Sequence, residues 1–97
     1  MSSDENIEKI YIGNKEIPKY LTACFFALGE TDTINIIGRG NNVKGAVDVA
    51  AILLRQYLEN PKYDIKIGSE KFEERYVSTI EIVINGEKKN IPKIKSE

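Results

Sequence analysis

Histidine is absent from these 97 residues and cysteine occurs once. Without imidazole a single chain cannot build a Cys/His zinc site or a Ser-His-Asp or Cys-His catalytic centre, so neither metal, cofactor nor enzymatic chemistry is expected. One thiol cannot close an intramolecular disulfide, and Cys24, set among Leu21, Phe25 and Leu28, reads as a small core residue. No apolar run approaches the roughly 18 residues of a membrane-spanning helix. Met1 to Glu8 is polar and acidic, unlike a secretory signal or an Arg-rich transit peptide, so a cytoplasmic location is expected. A surplus of positive charge is missing too: eleven Lys and three Arg meet eleven Glu and four Asp, a net charge of −1. An all-round field for nucleic acid is thereby excluded, and any such binding must come from local patches.

What is present is enough for one small soluble domain. The chain is 11.0 kDa, 41% hydrophobic and 30% charged, which suffices to close a single core and leaves nothing for a second. The expected division is one domain over 1–97, with a flexible leader at 1–6 and a Lys-rich tail at 87–97.

Hydrophobic periodicity supplies the elements. Ile10 and Ile12 flank Tyr11 in a short alternating strand that ends at Gly13-Asn14-Lys15, a natural turn. Pro18 suits a first helical turn, and Ile17, Leu21, Cys24, Phe25 and Leu28 recur at helical spacing up to a stop at Gly29. Thr33 to Gly38 is β-branched and short, a second strand. After Arg39-Gly40-Asn41-Asn42, the residues Val43, Ala46, Val47, Ala50, Leu54, Tyr57 and Leu58 form one helical face ending near Asn60-Pro61. Val49, Ile52 and Leu53 widen that face, as expected of a helix packed on more than one side, and this surplus apolar surface is what a dimer is expected to bury. Tyr63, Ile65 and Ile67 alternate with polar residues, as do Ser78, Ile80, Ile82 and Ile84, and the charged run Gly68 to Arg75 between them suits the outer half of a hairpin. Asn85-Gly86 has turn chemistry that would close a further hairpin or end the sheet. The order β-α-β-α-β-β predicts an α+β two-layer sandwich, a four-stranded mixed sheet with two helices on one face.

Four segments carry candidate chemistry, each with a plainer alternative. Arg39-Gly40-Asn41-Asn42 opens the long helix and would cradle a phosphate with helix N-terminal amides, or would be a strand-to-helix turn capped by Asn41 or Asn42. The Gly-Lys-Ser/Thr run of a Walker loop is missing. Gly13-Asn14-Lys15 offers one cation, offset by Glu16, and otherwise reads as a surface turn. The hairpin bears Lys71 and Arg75 as arm contacts, but Glu70, Glu73 and Glu74 outnumber them, as in a solvated loop. Lys88, Lys89, Lys93 and Lys95 in the tail would touch phosphates or merely solubilise the end.

Taken in order, Ile12-Gly13-Asn14-Lys15, Arg39-Gly40, Ala46-Val47-Asp48, Ile67-Gly68-Ser69 and Val77-Ser78-Thr79-Ile80-Glu81-Ile82 resemble the Alba family of archaeal chromatin proteins. The resemblance runs from about Ile10 to Ile84. It implies a fold like that of the C-terminal domain of bacterial translation initiation factor three, assembled as a dimer. It also implies binding of double-stranded DNA or RNA through the loop after the first strand, the loop entering the second helix, and two hairpin arms. By position, Lys15 matches the second lysine of the first loop and Arg39 the first arginine of the Arg-Gly-Arg element. Asn14 and Asn41 replace cations of that pattern, Gly45 stands where a further lysine is common, and Lys44 lies beside it. The hairpin is also shorter and more acidic. The site expected from the resemblance is Lys15, Arg39 and Lys44 as phosphate cations, Asn14, Asn41 and Asn42 as neutral donors, and Lys71 and Arg75 on the arm. The partner of a dimer would be a second copy or a paralogue. The alternative is a regulatory paralogue that pairs with a more basic partner and tempers its nucleic-acid binding.

Overall fold

A computed structural model of the protein describes residues 7–88. Its elements are β1 (Ile7–Tyr11), α1 (Ile17–Glu30), β2 (Thr33–Arg39), α2 (Val43–Ile52), β3 (Leu58–Phe72) and β4 (Arg75–Lys88). The strands form one sheet in the order β1-β2-β4-β3, with β1 parallel to β2 and the other pairs antiparallel. This is the two-layer mixed-sheet architecture expected from the order of elements.

Period-two alternation sorts the sheet into two faces. Ile34 pairs with Ile84 and Ile36 with Ile82, and these four are buried together with Ile80 under both helices. From α1 come Tyr20, Cys24, Ala27 and Leu28, and from α2 come Ala46, Val49 and Ala50, followed by Leu53. Cys24 is a core residue, as its apolar neighbours predict: it is fully buried, and burial pushes its thiol up from the ordinary 9.0 to about 12. Val47, placed on the core face by its spacing, is 43% exposed, while Val49 and Leu53, read as surplus apolar surface, are fully buried. A helix lying flat on a sheet covers a wider arc of its surface than one stripe, which takes up the supposed surplus.

Several boundaries differ from the sequence reading, each for a local reason. Helix α1 runs through Gly29 to Glu30, where the Thr31 amide donates to the Ala27 carbonyl at 2.9 Å and the Thr31 hydroxyl donates to the Thr33 carbonyl at 2.8 Å, turning the chain out of the helix. The long helix does not reach Asn60: α2 passes into a π-helical turn over Leu53–Tyr57, and Leu58 is already extended in β3. The turn lets Tyr57 meet Phe25 edge-on, with ring centroids 5.4 Å apart. Pro61 enters edge strand β3 at a register shift between Glu59 and Lys62, where Asn60 has φ 49. Asn85-Gly86 therefore neither turns nor ends the sheet. Gly86 lies against that irregularity, and a Cβ there would come within 3.3 Å of the Pro61 Cα. The leader at 1–6 and the tail beyond Lys88 lie outside the described residues, whereas Glu87 and Lys88 extend β4.

Candidate nucleic-acid interface

The strand directions decide where the candidate segments meet. Tyr11, the end of β1, pairs with Ile37 near the end of parallel β2, so the loop after β1 and the turn after β2 leave the sheet at the same end. Arg39, last in β2, pairs with Thr79 of antiparallel β4, so the β3–β4 hairpin passes that same end. Beyond β2 it continues as a two-stranded arm through four further pairs, Ser69 with Ser78 out to Phe72 with Arg75. Four residues of strand project the arm by about 13 Å. The topology thus gathers Asn14 and Lys15, Arg39 to Lys44, and the arm at one end of the molecule.

The first loop is held from below. The buried Tyr20 hydroxyl accepts hydrogen bonds from the Gly13 amide at 2.8 Å and the Lys15 amide at 3.0 Å, fixing the backbone while Asn14 and Lys15 stay exposed. Tyr20 was missed in the sequence reading. Its signal was there, since Tyr20, Cys24 and Ala27 recur at helical spacing beside the stripe that was counted.

The turn after β2 is tight by necessity. A Cβ on Gly38 would stand 2.5 Å from the Asn42 carbonyl oxygen and 2.9 Å from the Ala46 Cβ, so only glycine lets the strand end pass this close to α2. Gly40 adopts φ +54 within the short 3₁₀ turn Gly40–Asn42. Asn42 occupies the cap position of α2 without a side-chain capping bond, so the expected asparagine cap is not made by it. Asn41 is exposed and Asn42 half-buried.

Two of the three expected body cations already have partners. Arg39 Nε lies 3.2 Å from Glu70 Oε1, and its Nη2 donates to Oε2 at 3.4 Å, with both side chains about half exposed. Arg39 is one residue on from Gly38, which faces the helices, so its guanidinium lies over the uncovered face of the sheet. A cradle combining Arg39 with the α2 amides is therefore not formed. Lys44 Nζ lies 2.8 Å from Asp48 Oδ2 along one face of α2. That hydrogen bond and the Asp48 charge hold the ammonium above its ordinary value. Among the described residues, no ion pair within range engages Lys15, Lys71 or Arg75. At this end Lys15, Lys19, Arg39, Lys44, Lys71 and Arg75 meet Glu16, Asp48, Glu70, Glu73 and Glu74, six positive charges against five negative.

The arm separates its two cations. Phe72 pairs with Arg75 across the two-residue turn Glu73-Glu74, and Lys71 with Tyr76, so Lys71 and Arg75 occupy opposite faces. Each cation stands beside an exposed aromatic, Tyr76 at 68% and Phe72 at 59%. The arm presents a cation and a ring on both sides.

An apolar surface lies elsewhere. Tyr63, Ile65 and Ile67 share the sheet face of Ile84, Ile82 and Ile80, yet they are 57%, 52% and 78% exposed, because β3 is the edge strand beyond the cover of the helices. Among the described residues, no group of three metal-ligating side chains is clustered and no helix is long and apolar enough to cross a membrane.

The Alba family model matches residues 8–72. The chain is 41% identical over 90 residues to the DNA/RNA-binding protein Alba of Nitrosopumilus maritimus, covering 84% of this chain and 94% of that one. It is 33% identical over 89 residues to the DNA/RNA-binding protein Alba of Picrophilus torridus, covering 84% and 97%. Among solved structures it superposes on Alba from Thermoplasma volcanium with a TM-score of 0.67 at 26% identity, over 80% of this chain and 99% of that one.

Proposed function

Since this chain belongs to the Alba family, we propose that it binds DNA or RNA as a dimer of single-domain subunits, through phosphate contacts and with little sequence preference. The observation that carries this reading is the convergence of the first loop, the Arg39–Lys44 turn and the hairpin arm at one end of the sheet. Lysine and arginine side chains on loops meet phosphates, which position a duplex without reading its bases. The narrow arm, with a cation on each face, fits between two phosphate walls. The apolar stripe Tyr63, Ile65 and Ile67 supports dimerisation, since a second copy laid against it would bury what the helices leave open. A dimer also doubles the arms and the cations.

Two or three effective cations per subunit would neutralise roughly five phosphates per dimer, giving a log-log salt slope near −4 to −5 on duplex DNA and micromolar or weaker binding near physiological salt. Fluorescence anisotropy with labelled duplex DNA, single-stranded DNA and RNA at two salt concentrations tests this. Arg39→Ala weakens binding to every sequence alike and flattens the slope by about one per site, with the fold retained by circular dichroism. Asn41→Arg and Asn14→Lys strengthen it. Absence of binding to all three probes at low salt overturns the reading. It then favours a regulatory subunit that pairs with a more basic paralogue, which the ion-paired state of Arg39 and Lys44 supports.

A further inference from the structure

We propose that Glu70 is an intramolecular stand-in for phosphate on Arg39, a gate that nucleic acid must displace. The inference rests on the binding reading above and identifies a residue that sets its strength.

The geometry is that of an anion site already filled. A guanidinium offers a planar fork that matches two oxygens of a carboxylate or of a phosphate, and here both Glu70 oxygens face it, at 3.2 Å from Nε and 3.4 Å from Nη2. The two residues are 31 positions apart and sit on different strands, β2 and β3, with β4 between them. Arg39 is opposite Thr79 and Glu70 opposite Val77, so the arginine crosses β4 diagonally. Its path is open because the residue across from Thr79 on β3 is Gly68. Even a Cβ at Gly68 would stand 3.1 Å from Thr79 Oγ1, and a longer side chain would rise over that hydroxyl into the space the arginine traverses.

The placement has two consequences. Arg39 belongs to the sheet body and Glu70 to the base of the arm, so the pair ties the arm to the body. A phosphate that takes the guanidinium releases that tie and leaves the arm free to adjust along a duplex. The pair is also weak enough to be displaced, since exposed ion pairs contribute little against solvent, and a polyanion that releases counterions gains more than the carboxylate holds. Glu70 therefore lowers affinity without abolishing it. Removing it unmasks a cation already in place, unlike Asn41→Arg, which adds one.

The test is a double-mutant cycle on a labelled 20-base-pair duplex, read by anisotropy, with wild type, Glu70→Gln, Arg39→Ala, the double variant, and Glu73→Gln as a control for removing one arm charge. Glu70→Gln is isosteric and exposed, so folding is retained. The expected result is a gain in affinity of about two- to fivefold per site for Glu70→Gln, the scale of an exposed ion pair. The gain exceeds that of Glu73→Gln and vanishes in the Arg39→Ala background. In the free protein, Glu70→Gln shifts the Arg39 Nε–Hε resonance, and duplex shifts it in wild type. An unchanged Arg39 resonance in free Glu70→Gln overturns the pairing itself, whatever the protein binds. A gain equal to that of Glu73→Gln, or one that persists without Arg39, overturns the gate while leaving nucleic-acid binding intact. A shifted resonance with no duplex binding by any variant overturns the binding reading, and the gate with it.

Discussion

Replacement of Ile67 by serine gives a quantitative test of the proposed dimer. The side chain lies on the apolar stripe of β3, is 78% exposed in the subunit, and pairs in the ladder with buried Ile80. Complete burial of an isoleucine is worth about 1.5–3 kcal/mol. Covering what the subunit leaves open therefore contributes about 1–2 kcal/mol per protomer, and two-fold symmetry counts it twice, about 2–4 kcal/mol in all. Ile67→Ser should raise the dimer dissociation constant by about one and a half to three orders of magnitude at 1.4 kcal/mol per decade. The subunit should hardly notice, since an exposed position on an edge strand gives up little of the core. Sedimentation velocity and light scattering across the micromolar range measure the shift from dimer toward 11.0 kDa particles, and thermal denaturation checks the fold. Wild type that is monomeric at 100 μM refutes the stripe as a self-interface. So does Ile67→Ser with an unchanged dissociation constant, because the apolar transfer would then occur elsewhere.

Two further outcomes test the supports beneath the site. Tyr20→Phe removes the acceptor shared by the Gly13 and Lys15 amides, and should cost about 1–2 kcal/mol of stability in urea titrations and raise amide exchange at Gly13 and Lys15; unchanged exchange would refute the role of the hydroxyl. Cys24, fully buried with its thiol at about 12 against an ordinary 9.0, should resist alkylation at pH 8 until the protein unfolds. Because the unfolded thiol ionises first, its contribution to stability is complete below pH 9.0 and is lost as the pH rises toward about 12; a Cys24→Ala variant with the same alkaline decline as wild type would count against it.

The candidate residues divide by how far their meaning travels along the chain. Arg39, Asn41 and Asn42 were recognisable as the turn into a helix, and Lys15 as the exit of a strand, because those signals lie within a few neighbouring residues. That Arg39 meets Glu70 was not, since the contact depends on β2 and β3 flanking β4 in one register. Lys71 and Arg75 were grouped as arm contacts, yet they face opposite ways. Which face each takes depends on the two-residue turn at Glu73-Glu74, where Glu73 adopts φ 59 without the Gly or Asn that announces such a turn.

The apolar pattern by itself determined that Ile80, Ile82 and Ile84 form one strand face, that Cys24 is core, and that two helices and four strands follow in the order observed. Such periodicities are local, because a side chain's face is set by its position within its own element. Only the tertiary structure decided what covers each face. Ile65 and Ile82 read alike in sequence, yet Ile82 lies under the helices and Ile65 on the open margin of the same sheet face. Val49 and Leu53 read as spare surface until the sheet lay against them. Two helices span only part of a four-stranded sheet, and strand order, a long-range property, determines which strand is left at the uncovered edge.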